Sequence, residues 1–350
     1  MTAHPGTVPV GLVQLQVRDP RWVAFVESCP HALPFHHPAW VDLLAECYGY
    51  RAFALALMDP AGAISAGLPV LCIGGARGKQ RWASLPFTDY CPLLTRPGSE
   101  PALADALATE LAARHVTVFE QHAELPEGRH LHRWVEGYRH TLALSGTPAS
   151  VYSRFSKMHQ RNIRKAENSG VRIEHGCSAA DVDTFYRLHL MTRRRLGVPV
   201  QPRRFFRLLA HRLQDEGLGF VLAAYVQDAP VAAAVFLNWN GTLVYKYGAS
   251  DQAFWNHRPN NLLFWRAIQW GCENGYTTFD WGRTDAEDQG LRDFKSGWGS
   301  REEDLVYSAI ADRLPRHSSG WIRRAMGTVI RRSPTWVCQA VGESLYRFAA

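Results

Sequence analysis

A chain of 350 residues is too long for one ordinary core and too short for three, so two packed lobes are expected. With 46% hydrophobic and 20% charged residues and a formal net charge of +7, it has ample material for packed cores and lacks the polar, low-aromatic profile of disorder. Seven scattered cysteines with no C-x-x-C pair argue against a zinc site or a disulfide framework, and no apolar run or leader pattern suggests a membrane span or export, so a cytoplasmic location is expected.

In chain order, Pro38–Tyr48 carries a helical pattern. Ala52–Val70, AFALALMDPAGAISAGLPV, then reads as a β-hairpin, two apolar strands joined by an Asp-Pro turn. Asp89-Tyr90, between Pro86 and Pro92, lies in an irregular segment that suits acceptor binding, although Asp89 equally satisfies a turn. Thr141–Leu144 is a strand, and the turn formers of Ser145–Ser150 place a boundary that gives lobes 1–147 and 148–310 and a tail 311–350. Ser153–Ser169 is a helix stopped by Gly170, with Arg154, Lys157, Arg161, Arg164 and Lys165 on one charged side.

A helical pattern runs through Asp181–Gln214 and includes Arg193-Arg194-Arg195, which suits phosphate or a solvated helix end. Gly219–Leu237, GFVLAAYVQDAPVAAAVFL, repeats the earlier hairpin, again preceded by helix and followed by a strand, and so predicts a duplicated unit. Strands Val221–Val226, Val231–Asn238 and Thr242–Gly248 lead to an Asn- and Pro-rich loop, a helix over Leu262–Glu273 and a strand over Thr277–Trp281. Ligands favour the loop after the first strand of such a crossover. In the tail, seven Arg stand against Asp312 and Glu343. Trp321, Ile322, Ala325, Met326, Val329 and Ile330 form a helical stripe there, suited to covering a core or, through residues 319–332, to lying on an anionic membrane.

Four motifs follow in order in the second half: YKYGAS (Tyr245–Ser250), Arg258-Pro-Asn-Asn261, FDWGRT (Phe279–Thr284) and GLRDFKSGWG (Gly290–Gly299). Together with FHHPAW (Phe35–Trp40) and SLPFTDYCPLL (Ser84–Leu94), they resemble the Fem family of aminoacyltransferases over about residues 30 to 310. The resemblance implies an α/β fold of two tandem GNAT-like lobes, each a mixed, mostly antiparallel twisted sheet flanked by helices. It further implies transfer of an aminoacyl group from aminoacyl-tRNA to an amine, such as that of a peptidoglycan precursor, with neither metal nor nucleotide cofactor.

The residues offer matching chemistry. A fixed cation stabilises the oxygen charge of a tetrahedral intermediate, which suits Lys295, and the resemblance implies that this lysine assists transfer near the tRNA end. Asp280 and Arg283 flank Trp281-Gly282, where a carboxylate accepts a proton from the amine, or where the two pair with each other or cap Lys295. Tyr247, expected on the same strand face as Tyr245, is a hydrogen-bond donor for the acyl oxygen. Phe294, Arg258, Asn261 and Trp298 are the candidate donor-binding residues, and Asp89, Tyr90, Trp40 and Arg194 the candidate acceptor-binding ones.

Two features depart from related patterns. His257–Leu262 lacks the glycines of a pyrophosphate cradle, which disfavours acetyl-CoA, and Val41–Glu46 lacks the lysine with which Fem members grip a muropeptide. The alternatives are an acyl-CoA N-acyltransferase of cell-surface polysaccharide or lipid-linked glycan assembly and a non-catalytic RNA- or membrane-binding scaffold.

Overall fold

The apolar hairpin runs fold as such, and around each the chain builds the same succession of elements. The computed structural model describes residues 11–74, 79–128, 130–313, 327–328 and 330–345. It divides into two units, Met1–Glu136 with Leu305–Arg316 and Gly137–Asp304 with His317–Ala350. The chain passes from the first to the second within a strand, ahead of the Ser145–Ser150 turn where composition places the boundary.

The first unit runs β1 (Leu12–Leu15), α1 (Pro20–Ser28), α2 (Pro38–Tyr48), β2 (Arg51–Met58), β3 (Ile64–Gly74), β4 (Gln80–Ser84), β5 (Leu94–Thr95), α3 (Glu100–Ala113) and β6 (Val116–Gln121). The end of β13 (Arg301–Ala311) completes its sheet, in the order β1-β2-β3-β4-β6-β13, with β5 beside β3. The Asp59 carboxylate makes the β2–β3 turn by accepting from the amides of Ala61 and Ala63. β2 and β3 are buried through most of their length, as expected where both faces of a sheet are covered. Their Phe53, Leu55, Leu68 and Val70 pack with Trp82, Phe119 and the Leu103, Leu107 and Leu111 stripe of α3.

The second unit takes the end of β7 (Leu131–Ala143), then α4 (Pro148–Ser153), α5 (Lys157–Asn168), β8 (Arg172–Gly176), α6 (Ala179–Leu196) and α7 (Arg203–Asp215). β9 (Gly219–Val226), β10 (Ala229–Trp239), β11 (Thr242–Ser250), α8 (Pro259–Glu273), β12 (Thr278–Thr284), α9 (Gln289–Ser296) and α10 (Thr335–Leu345) follow. Its strand order is β7-β12-β11-β10-β9-β8. The helical pattern of Asp181–Gln214 is two helices, because Gly197 caps α6 in the left-handed region at φ +73° and prolines 199 and 202 forbid immediate continuation. The basic helix likewise restarts at α5, where the Ser156 hydroxyl caps the His159 amide. Its Ile163 joins a core of Phe220, Phe236, Leu243, Phe279, Trp281 and Trp298.

The two units therefore share one plan: strand, two helices, hairpin, third antiparallel strand, helix, parallel strand. It is an α/β architecture of two tandem GNAT-like lobes, each a mixed sheet flanked by helices. Among the described residues no helix is long and apolar enough to cross a membrane. The stripe expected over Trp321–Ile330 falls mostly outside the described residues.

Candidate active site

In the second unit the parallel strands β11 and β12 pair only over Thr242–Val244 and Thr278–Asp280. Beyond that β11 runs on to Ser250, still bonded to β10, and β12 runs on to Thr284, bonded to β7. The two diverge in the middle of a sheet, so β12 does not pair with β11 beyond Val244, and at the far end the Thr192 hydroxyl accepts from the Ser250 amide and lies 3.3 Å from its carbonyl. A register shift opposite Val235 and Phe236 leaves Lys246 as the extra residue of a β-bulge in β11, beside the opening.

The bulge corrects the expectation that Tyr245 and Tyr247 share a face. Tyr245 packs against Phe264 of α8 and Trp281, whereas Tyr247 packs against Phe185, His189, Phe205 and Phe206 of α6 and α7. One inserted residue between them reverses the alternation. Tyr247 remains half-buried next to the opening. Gly248 is required there, since a Cβ would lie 1.9 Å from the Tyr245 hydroxyl. His189, which accompanies Tyr247, bonds to Gln201 at 3.0 Å, and burial pulls its pKa down to about 3, so it is neutral.

A second bulge lies on β12. Two steps of β7, from Thr141 to Arg139, face three of β12, from Asp280 to Arg283, and Gly282 turns left-handed at φ +66°. Lys295 of α9, 2% exposed, fills this bulge: its Nζ donates to the carbonyls of Trp281, Gly282 and Arg283 at 2.9, 3.1 and 3.1 Å. An ammonium has three N–H donors, and these bonds match all three. The geometry therefore corrects the expectation of direct oxyanion contact; Lys295 holds the strand in shape.

Asp280 is likewise committed. It is 2% exposed, its Oδ2 accepts from Arg139 at 2.7 and 2.8 Å, and its Oδ1 accepts from the Gly282 amide at 2.8 Å. Both carboxylate oxygens are thus engaged within the protein. The Arg283 side chain pairs with Asp285 at 2.7 Å, while its backbone carbonyl accepts from Lys295. Nearby, Arg292 holds Glu302 at 2.6 Å while lying over the Tyr138 ring at 3.8 Å. The Arg292 bond holds Glu302 below the usual carboxylate range. His140, 3.0 Å from Glu302, is lowered by burial and then by the Lys295 charge.

Of the candidate donor-binding residues, three meet in a packed cluster whose centre sequence reasoning missed. His159 of α5 donates from Nε2 to the Phe294 carbonyl and accepts at Nδ1 from Asn261, both at 2.9 Å. Its ring stacks on Trp298 at 4.4 Å and meets Phe294 edge-on. Burial lowers its pKa, in keeping with a neutral ring. A Cβ on Gly297 would sit 2.6 Å from His159 Nε2. The Phe-Lys-Ser-Gly-Trp motif thus clamps α9 to α5 and α8, with Asn261 and Trp298 buried in this packing and Phe294 half-buried at its edge. The available signal was His159 at helical spacing with the buried Ile163. Arg258 is different: it is exposed, left-handed at φ +57°, and stands immediately before α8.

The acceptor candidates separate too. Trp40 is buried in the first unit and donates to the Thr88 hydroxyl at 2.9 Å, so it is part of the core. Asp89 and Tyr90 are half-buried in a loop where Leu85 and Phe87 adopt φ of +53° and +61°. Tyr307 bonds the Asp89 carbonyl at 2.7 Å, His122 the Thr88 carbonyl at 2.6 Å and His36 the Pro92 carbonyl at 2.9 Å. Burial lowers His36 to about 4 and pushes the adjoining Cys91 thiol up to about 12. Arg194 belongs to the second unit, and its Nε donates to the Ser333 carbonyl at 2.6 Å, tying α6 to the segment before α10. Its neighbours are also engaged, Arg193 with the Pro199 carbonyl and Arg195 with the Trp255 ring. A groove of about 600 Å³ between α5, β8 and α8 is lined largely by Val171, Ile173, Leu222, Leu262 and Trp270. It lies at the β8 end of the sheet, and the opening between β11 and β12 is the better candidate for chemistry.

Comparison with known proteins agrees with this architecture. Residues 153–296 match the family model described as an acetyltransferase (GNAT) domain. No curated protein matches the chain in sequence. Among solved structures, FemX superposes with a TM-score of 0.70 at 14% identity, covering 85% of this chain and 96% of its own. L-PGS from Bacillus licheniformis gives 0.51 at 14% identity, covering 92% and 99%. The C-terminal domain of a putative lysylphosphatidylglycerol synthetase from Agrobacterium fabrum gives 0.52 at 11% identity, covering 89% and 96%. At these identities the likeness is one of fold, that of tandem GNAT-like acyltransferases.

Proposed function

We propose that the chain transfers an activated acyl group, carried as an aminoacyl ester on tRNA, to an amine acceptor. The observation behind this reading is the divergence of β11 and β12 after three paired residues, with the Lys246 bulge beside it. An extended acyl donor laid in the opening meets backbone N–H and C=O groups without disturbing any strand pair. In the transfer the amine lone pair attacks the ester carbonyl, a C–N bond forms, the C–O bond to the ribose breaks, and the amine proton passes to the leaving oxygen. Amides of β11 then serve as donors to the developing oxyanion, and Tyr247 is the candidate hydroxyl beside them. Lys295, Asp280 and Arg139 act as positioning residues. An activated ester needs little acid or base power, which suits a site whose Asp280 is already committed.

A basic face supports a polyanionic donor. Lys157, Arg161, Arg164 and Lys165 of α5 are exposed, and no ion-pair partner for them is found among the described residues. α5 adjoins the start of α8 through the His159–Asn261 bond. Aminoacyl transfer is also consistent with a fold shared with a protein named for lysylphosphatidylglycerol synthesis. Asp89 and Tyr90 remain the candidates for the amine. The second reading, an acyl-CoA donor, is favoured by the acetyltransferase (GNAT) match over residues 153–296.

The test is transfer of a labelled group to a panel of amines from charged tRNA and, separately, from acyl-CoA. Label transfer from charged tRNA that declines steeply with salt is the expected result. Transfer from acyl-CoA alone refutes the tRNA donor and selects the second reading; transfer from neither leaves a binding scaffold.

A further inference from the structure

The loop between β11 and α8 carries the only aromatic ring among the exposed large apolar side chains of the described residues. Trp255 is 38% exposed. Its indole N–H donates to the Ser250 hydroxyl at 2.9 Å, which fixes the ring at the C-terminal end of β11. The Arg195 guanidinium, at the end of α6, lies 4.8 Å from the ring centroid. Arg258 follows directly: its amide bonds to the Trp255 carbonyl at 3.1 Å, its backbone is left-handed and its side chain is exposed. A non-glycine residue held at positive φ in a loop between a parallel strand and its crossover helix is a costly placement, of the kind that concentrates at ligand sites.

Three features coincide here: an oriented aromatic surface, a guanidinium over its face, and a second cation next to it. A flat π-face combined with a guanidinium is the chemistry that receives a nucleobase, and a neighbouring cation is what its phosphate requires. We propose that Trp255 and Arg195 form a stacking platform for the adenine of the donor, with Arg258 receiving the phosphate beside it. The proposal rests on the acyl-donor reading and names the part of the donor that this loop holds. Adenosine phosphate is common to the CCA end of tRNA and to coenzyme A, so the platform serves either source.

Binding of a labelled acceptor-stem RNA hairpin ending in CCA to the full chain tests this, with a hairpin ending in CCU as control and coenzyme A as competitor. The expected result is tighter binding of the CCA form, whose purine covers more of the ring than uracil does, and about a tenfold loss when the ring is removed, as one base stacked on one ring provides. Trp255→Ala abolishes that difference and Trp255→Phe retains most of it; because the ring is exposed, unchanged thermal melting shows that the variants fold. Preference for CCA over competing coenzyme A assigns the platform to RNA, whereas displacement by low coenzyme A, lost in Trp255→Ala, assigns it to the coenzyme. Equal binding of CCA and CCU with no effect of Trp255→Ala on either ligand overturns the platform, and if wild-type transfer persists in that case the donor reading survives. Absence of binding to all three ligands, together with absence of transfer, overturns both.

Discussion

The two units repeat one plan but finish it differently. In the first, β4 and β6 stay paired in parallel through Ser84 and Gln121, where both strands end. In the second, β11 and β12 separate after Val244 and Asp280 and continue apart. The closed pair leads into a loop pinned by His36, Gln121 and His122 through its backbone carbonyls. The open pair is braced by a buried lysine, a buried ion pair and a neutral histidine clamp. The two units thus share one frame, and only in the second do the parallel strands part before they end.

If the brace maintains the opening, Lys295→Met should have the largest effect. It leaves three buried carbonyls without a donor, at about 1–3 kcal/mol each, so a loss of about 5 kcal/mol is expected in denaturant titration. An unchanged midpoint would show that Lys295 does not hold the bulge.

Acid should loosen both units through their buried histidines. Burial lowers His36 in the first to about 4 and His189 in the second to about 3, both below the ordinary imidazole value of 6.5. A folded pKa below the unfolded one means that the unfolded chain binds more protons under pH 6.5. The stability from each neutral ring is therefore complete above that pH and declines as pH falls toward the folded value. Between pH 7 and pH 4 each site should lose about 3 kcal/mol, and His36→Gln should remove that residue's share of the slope in pH-dependent unfolding. A slope unaltered by that variant would exclude His36 as a source.

Gly297→Ala should have a smaller effect, since its Cβ meets His159 and forces α9 away from α5. A loss of about 2 kcal/mol in thermal or chemical unfolding is expected, against near neutrality for alanine at Gly290, where the nearest side-chain atom is 3.7 Å away. Equal effects at the two glycines would contradict the clamp.

Much of this was legible in the sequence. The repeated hairpins, the crossover and the motif block stand out because apolar runs and turn residues have local causes. The motifs marked residues on the strands and helices around the candidate site, but not the contacts those residues make. Period-two reasoning put Tyr245 and Tyr247 together, and an inserted Lys246, invisible to periodicity, separated them. Lys295 looked like a free cation because nothing local announces that Gly282 turns three carbonyls toward it. Arg193, Arg194 and Arg195 looked like one basic patch, yet they point to a loop carbonyl, a carbonyl before α10 and an indole. Such partners are distant in sequence, and only tertiary packing assigns them.

The most direct test of the central claim is hydrogen–deuterium exchange of the full chain with an unreactive donor bound, either an acyl-CoA thioether or an RNA end carrying an amide-linked aminoacyl group. Slowed exchange at residues 245–250 of β11, with the 84–92 loop of the first unit unchanged, is expected if the donor lies in the opening between β11 and β12. Slowed exchange confined to the 84–92 loop, with β11 unaffected, would place the donor in the first unit and contradict the account.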